Sequence, residues 1–468
     1  MKALVDVTPT PEQLALFSRI RSGVEVIRGA AGSGKTTTAI LKLRAAVGFY
    51  INRSKRNNND KRVKVLVLTF NRTLRGYVQE LARNQIGKSG EIDLTVSTFA
   101  SWASTLNESD SEYIAYPNKY IKELCSNISL SQDFLLEEVS YVLGKYLEEN
   151  LDDYLDSRRD GRGSVPRMER PTREKLLKEV IFPYLALKKK LNVIDWHDNA
   201  IPLINEKKAA YDVVVVDETQ DFSANEIRAV MNQLSEGHTV SFVLDGAQRI
   251  YARSFTWSEV GLIVRPENSY KLVKNYRNTK QIARLAASVL DGISPGSDTT
   301  IPDFSTASRE GNLPLILEGN YSSQLSYALK FIYDNIDLDS ESVAFLQAKG
   351  GGWFKDLKKE LDRRKLDFID LTKLSTWPSG KENIALSTMH SAKGLEFDYV
   401  FILGLNNESL PVEQFEVGKE NEFLQKVQRL VAMAIGRSRT NVIIGYKPED
   451  PPVIADFFKK DMCEKVVL

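Results

Sequence analysis

Cysteine is almost missing from this sequence: Cys125 and Cys463 are the only two, and they stand far apart. With no Cys-x-x-Cys pair and only three histidines, neither a zinc site nor a disulfide framework is expected. A reduced, cytoplasmic setting fits that usage. No apolar run reaches the roughly 18 residues of a membrane span, and the first residues, MKALVDVTPTPEQ, lack the apolar core of a secretion signal. Net charge is scarce too, at +1. Any contact with nucleic acid must therefore come from a local groove and not from bulk charge. What is present is ordinary for a globular chain: 468 residues, 42% hydrophobic and 27% charged. That length suffices for about two to four compact units.

Short β-rich runs alternate with amphipathic stretches in the first part of the chain. Val24–Arg28, Val63–Thr69, Leu94–Ser97, Tyr211–Asp217 and Val240–Asp245 read as strands. Tyr211–Asp217 is nearly all β-branched, as a strand covered on both faces should be. A helix is expected after the first strand, through about Val47, and Asn52–Arg62 reads as a polar surface loop. From about residue 103 to 205 the texture is helical. The β/α rhythm returns after about residue 270, with strands expected at Leu313–Leu317, Ser342–Leu346, Ile384–Ser387, Tyr399–Leu403 and Asn441–Tyr446. Strands alternating with helices predict an α/β fold with parallel sheets and flanking helices.

Two motifs carry chemistry. Gly29, Ala30, Ala31, Gly32, Ser33, Gly34, Lys35 and Thr36 satisfy G-x-x-x-x-G-K-[ST] between a strand and a helix. Glycines let backbone N–H groups close on phosphates, and the helix beginning near Lys35 turns its positive end toward them. Lys35 suits the β/γ-phosphates and the Thr36 hydroxyl suits Mg²⁺. The second motif is the acid pair Asp217-Glu218 at the end of an apolar strand. Asp217 is the candidate metal ligand, and Glu218 the candidate base for the attacking water.

The segment VVVVDETQDF around that pair, together with the phosphate loop, resembles superfamily 1 helicases of the UvrD/Rep type. Further motifs follow in that family's order: Gln13; Thr69-Phe70-Asn71; Ser97-Thr98-Phe99; the run from Asp245 to Tyr251; Asn275 to Thr279; Thr388 to Phe397; and Ala434 to Arg439. The resemblance implies two RecA-like domains with ATP and Mg²⁺ between them. The first is residues 1–102 and 206–270, interrupted by a helical accessory insertion at 103–205. The second is 271–468, without a separate second accessory domain. By position, Gln13 would read adenine, Tyr276 would stack on it, and Thr37 stands where relatives often carry an arginine beside the base. Gln248 would touch the γ-phosphate or its water. Arg277 and Arg437 would reach across as arginine fingers, and Glu396 would bond the ribose or couple the cleft to nucleic acid.

The same resemblance implies a single strand of DNA, or a tailed duplex, lying over both domains. Phe70, Phe99, Tyr251 and Trp257 would stack on bases, with Asn71, Thr98, Thr388 and His390 as further contacts. Two functions share this site: an ATP-dependent 3′-to-5′ DNA helicase or translocase, and a DNA-sensing ATPase switch acting with a protein partner such as a nuclease.

Overall fold

The computed structural model describes residues 9, 13–14, 16, 20–29, 33–57, 61–69, 72–86, 90–108, 111–157, 167–245, 255–272, 275–293, 307–373, 382–410 and 420–468. Six strands form the first sheet: β1 (Gly23–Gly29), β2 (Val63–Thr69), β3 (Ile92–Thr98), β4 (Tyr211–Val216), β5 (Leu234–Asp245) and β6 (Ser269–Leu272). Their order is β3-β2-β4-β5-β1-β6 and every pairing is parallel. β4 lies inside the sheet with Val213 to Val216 buried, as its β-branched run requires.

Helix α1 (Lys35–Arg56) follows β1. It runs nine residues beyond the expected end at Val47, into the segment read as loop. Tyr50 explains the extension. It continues the buried face of Ala46 and Val47, and its hydroxyl donates to the carbonyl of Gly237. Arg53, Lys55 and Arg56 then close the helix with positive charge at its negative end. Helices α2 (Arg72–Ile86), α3 (Phe99–Asn107) and α4 (Ala224–Asn232) complete the layer structure. Ser223 and Glu226 form a reciprocal capping box at the start of α4.

Between α3 and β4 the described chain is mainly helical, with helices at Pro117–Leu124, Gln132–Lys145 and 170–191. This part has its own apolar cluster, including Leu135, Val139, Tyr154, Leu176 and Tyr184. A two-stranded ribbon, Glu112–Tyr113 with Val193–Ile194, ties its ends. Lys145 joins it to the segment after β5 through Glu259 at 3.0 Å, and Arg228 of α4 donates to the Lys145 carbonyl at 2.6 Å.

β7 (Asn275–Thr279) pairs with β8 (Ala307–Arg309). β9 (Leu315–Glu318), β10 (Val343–Gln347), β11 (Phe368–Asp370), β12 (Ile384–Thr388), β13 (Phe397–Ile402), β14 (Ser438–Tyr446) and β15 (Glu464–Val467) make the second sheet. It is parallel throughout, in the order β11-β12-β10-β13-β14-β9-β15. Helices α5 (Lys280–Val289), α6 (Tyr321–Asn335), α7 (Lys355–Arg363) and α8 (Glu420–Ile435) lie in this half. One buried apolar cluster contains residues of both halves, Ile40 and Leu43 with Ile282 and Val400 among them. The strands that pattern reading missed include β6, β11 and β15, all at sheet edges. They are short and half-exposed, so they carry no apolar run to mark them.

Candidate active site

β1 delivers the phosphate loop to the C-terminal edge of the first sheet, and α1 departs from it. Gly34 has φ +75° as the cap of α1, a left-handed backbone that favours glycine. A Cβ there would lie 2.7 Å from Gln13 Nε2, and one on Gly29 would lie 2.2 Å from Ser33 Oγ. Both glycines therefore hold open a cradle that larger residues would fill. Gln13 is buried and donates to the Gly34 carbonyl at 3.2 Å. Ser33 Oγ is buried with no hydrogen-bond partner among the described residues. Thr37 is half-buried in the first turn of α1. Ala30, Ala31 and Gly32 lie outside the described residues.

The acid pair faces this loop. Asp217 follows β4, with its N–H donating to the Leu68 carbonyl at 2.9 Å. Its Oδ2 accepts from Thr36 Oγ1 at 2.8 Å, and its Oδ1 accepts from the N–H of Glu218 at 3.0 Å. Burial, reinforced by the neighbouring Glu218 charge, pushes the Asp217 carboxyl up to about 7. The Thr36 hydrogen bond and the Lys35 charge oppose that shift without cancelling it. Hard oxygen donors from Thr36 and Asp217, an unpartnered Ser33 hydroxyl and a glycine cradle suit a magnesium–nucleotide phosphate group.

Glu218 adopts φ +52°, a left-handed conformation unusual for a side chain that carries a Cβ. Burial alone would raise its pKa. The positive charges of Lys393, Lys35 and Arg437, with a hydrogen bond from Gln220, outweigh that and hold the carboxyl below its usual range. Lys393 and Arg437 come from the second half of the chain, so the Glu218 carboxylate is set by charge from both halves. Lys393 also forms an ion pair with Asp221.

The two candidate arginine fingers differ. Arg277, on β7, pairs with Glu396 and donates to the Gly436 carbonyl at 3.4 Å. Asn275 Oδ1 accepts from the backbone N–H groups of Arg277 and Asn278 at 3.0 and 3.1 Å, which fixes the turn. In this conformation Arg277 is thus engaged within its own half, and Arg437 is the arginine felt at Glu218. Glu396 is half-buried, and desolvation disfavours its charge, but Arg277, Arg439 and Arg437 hold its carboxyl below the usual range. Tyr276 is half-buried.

The expected strand contacts are spread differently. Thr98 caps α3, accepting from the Ser101 N–H at 3.4 Å. Phe99 corrects the expectation of an open ring: it is 5% exposed and packs edge-on against Trp102 and Phe222. Burying that ring is worth more to the core than a free face is to a ligand. Trp257 is half-buried, with its ring 5.1 Å from that of Phe242. Thr388 Oγ1 donates to Ser391 Oγ at 2.8 Å, and His390 is exposed. Phe70, Asn71, Gln248 and Tyr251 fall outside the described residues.

Sequence reading missed one aromatic pair. Trp196 is 59% exposed and lies against Tyr113 of the ribbon, rings 4.6 Å apart. Its turn is held rigidly. Asp195 accepts from Tyr184 and Lys188 at 2.9 and 3.0 Å and from the His197 N–H at 2.8 Å. The signal available was Asp195-Trp196-His197-Asp198, a polar turn with a tryptophan inside it.

Among the described residues, no cluster of three or more His, Cys, Asp or Glu side chains is arranged to hold a metal. None of the described helices is long and apolar enough to cross a membrane.

Two parallel α/β domains of RecA type, with a glycine phosphate loop and the acid pair of buried Asp217 and half-buried Glu218 facing it, define a P-loop nucleotide-binding architecture. A family model described as the AAA domain matches residues 12–254, over half of the chain. The model of the UvrD-like helicase C-terminal domain matches 351–449. A probable DNA helicase II homolog of Mycoplasma capricolum is 24% identical over 393 residues, covering 76% of this chain and 51% of that protein. A probable DNA helicase of Mycoplasma pneumoniae is 21% identical over 447 residues, covering 89% of this chain and 79% of its own length. The chain thus spans about half the length of the first of these relatives. The crystal structure of the C-terminal domain of a possible DNA helicase from Lactobacillus plantarum is similar at a TM-score of 0.30 and 16% identity, over 41% of this chain and 98% of that one; that score is too low to add to the fold described above. On the family models and the ordered motifs, this chain belongs to the UvrD/Rep-type superfamily 1 helicases.

Proposed function

We propose that this protein is an ATP-dependent DNA helicase or translocase that couples hydrolysis between its two RecA-like domains to movement on single-stranded DNA. The observation that carries this reading is the setting of Glu218, whose charge is held by Lys35 of one domain and by Lys393 and Arg437 of the other. Hydrolysis then depends on how the domains meet, which is what a motor needs.

In this reading Lys35 draws the β/γ-phosphates, Gln13 and Tyr276 hold the base, and Glu218 accepts a proton from the attacking water. Arg437 stabilises charge that grows in the transition state. Arg277 takes the same role once released from Glu396. Thr36 and Asp217 would hold magnesium, which supplies charge neutralisation at the phosphates when bound. The domains divide at 1–102 with 206–270, the 103–205 insertion, and 271–468, with no separate second accessory domain. The 3′-to-5′ direction is carried over from the family resemblance.

Single-stranded DNA would run past Thr98, Thr388 and His390, and the Tyr113–Trp196 pair offers an open ring on the insertion. A DNA-sensing switch acting with a protein partner is the second reading, favoured by the small space between the Arg277 and Thr388 motifs. The test measures ATP turnover and strand displacement side by side, on duplexes with and without a 3′ tail. Displacement that requires the tail is expected. Turnover without displacement moves the assignment to the switch, and a turnover indifferent to DNA removes both.

A further inference from the structure

Charge is spread unevenly along this chain. Residues 35–91 hold thirteen lysines and arginines against three acids, in a protein whose net charge is +1. Helix α1 contains no acidic residue at all. Lys35 belongs to the phosphate loop and Lys42 is buried against Glu25, but Arg44, Arg53, Lys55 and Arg56 are exposed. Lys55 pairs with Glu91 at 2.8 Å. No carboxylate among the described residues pairs with Arg44, Arg53 or Arg56. Ser54 donates to the Lys61 carbonyl at 3.4 Å, which folds exposed Arg62 and Lys64 back toward the same helix end. The helix dipole favours cations in the last turn and so accounts for Arg53, Lys55 and Arg56. It does not account for Arg44, more than two turns earlier.

The same face is open and partly apolar. Phe49 is 42% exposed and stands edge-on to Tyr50, ring centres 5.4 Å apart. Tyr50 is buried, and its hydroxyl bonds the Gly237 carbonyl and lies 3.1 Å from Thr239 Oγ1. The open ring therefore rests on a fixed base. Ala45, Gly48 and Asn52 share the side of the helix that carries Phe49 and Arg56. A Cβ on Gly48 would meet nothing within 4 Å. The surface is thus a shallow seat of small residues with an open ring and arginines around it. It occupies the C-terminal half of a 22-residue helix that is about 33 Å long, so its last arginines stand far from the phosphate loop at the other end.

We propose that the outer face of the C-terminal half of α1 is a docking surface for an acidic, amphipathic segment of a partner protein. Its carboxylates pair with Arg44, Arg53 and Arg56, and an apolar side chain covers Phe49 above the seat at Ala45 and Gly48. Charge complementarity selects the sign of the partner, because this stretch of chain holds a large surplus of cations. The ring and the seat select its class. Arginine forks match carboxylates in pairs, and arginine with aromatic residues is enriched where proteins meet. Duplex phosphates would use the arginines and leave the apolar seat uncovered. The inference stands apart from the nucleotide site and does not depend on the helicase reading.

The test is fluorescence anisotropy of a labelled helical peptide, glutamates with leucine at every fourth position, titrated with the full chain. Arg53→Glu with Arg56→Glu should weaken binding by about 10-fold or more at low salt, and by less at high salt. Phe49→Ser should weaken it by about 10-fold, and so should serine for leucine in the peptide. Lys355→Glu with Lys359→Glu makes the same change in net charge at exposed positions on α7 and should bind the peptide as the parent does. A parent chain that does not bind the peptide overturns the proposal. So does a double arginine variant that binds as tightly as the parent, or a peptide whose leucines make no difference. A blunt DNA duplex bound through Arg53 and Arg56, with the peptide left unbound, overturns it in favour of nucleic acid. Should the double variant fail to fold, the parent is photocrosslinked to the peptide with benzoylphenylalanine in place of one leucine. A crosslink within residues 44–56 supports the surface, and crosslinks confined to other parts of the chain overturn it.

Discussion

Lys35 stands at the first position of α1, beside a cradle kept open by Gly29 and Gly34. In the proposed reading its amine serves phosphate charge and not the core. Lys35→Ala should therefore abolish ATP turnover while leaving the circular dichroism spectrum unchanged; turnover at the parent rate would remove the site assignment. Glu218→Gln keeps the shape but not the base, and kcat should fall by about 10²–10⁴-fold. Asp217 gives a different test. Burial, reinforced by the Glu218 charge, raises its carboxyl to about 7 from the ordinary aspartate value of 3.8. Between those values the unfolded chain loses the proton and the folded chain keeps it, so stability falls as pH rises across that window, and the full cost is present above it. Without nucleotide or metal, Asp217→Asn should raise Tm more at pH 8 than at pH 5. An equal shift at both pH values would show that the carboxyl is not strained by its site.

At the scale of elements, β1 and α1 are tied beneath the phosphate loop by a buried ion pair. Lys42 Nζ lies 2.7 Å from Glu25 Oε1, with the side chains 2% and 1% exposed. The amine also lies 4.4 Å from the centre of the Tyr270 ring on β6. Burial lowers the Lys42 pKa, and Glu25 opposes that shift. Removing one partner strands the other charge, so Lys42→Ala should cost about 3–5 kcal/mol in urea denaturation. Replacing both, with Lys42→Met and Glu25→Leu, should return most of that stability, because two buried charges are desolvated at a cost their attraction scarcely repays. A single variant unfolding at the parent midpoint would show that the pair does not bind the helix to the strand.

For the whole molecule, a net charge of +1 means that any DNA affinity must come from a local surface. Stimulation of ATP turnover by single-stranded DNA should still weaken steeply with salt, because each phosphate contact releases counterions. Measuring the DNA concentration for half-maximal stimulation between 50 and 200 mM salt (roughly the range over which such contacts are lost) checks this. A response flat in salt would place the binding energy elsewhere than on phosphates.

Much of the fold and the outline of the candidate site were legible in the residues alone. The glycine loop and the acid pair are contiguous, because phosphate and metal chemistry need particular residue types at fixed local spacing. The parallel strands announced themselves as apolar runs, and the edge strands β6, β11 and β15 did not, being short and partly wet. Family order of motifs supplied the second domain. Only the tertiary structure decided that Phe99 closes a core while Trp196 stands open. Only it showed that Arg277 is held by Glu396 while the Arg437 charge reaches Glu218. Those outcomes depend on which side chains meet across long stretches of chain. Burial and electrostatics act through space, whereas a motif records only what its neighbours in sequence require.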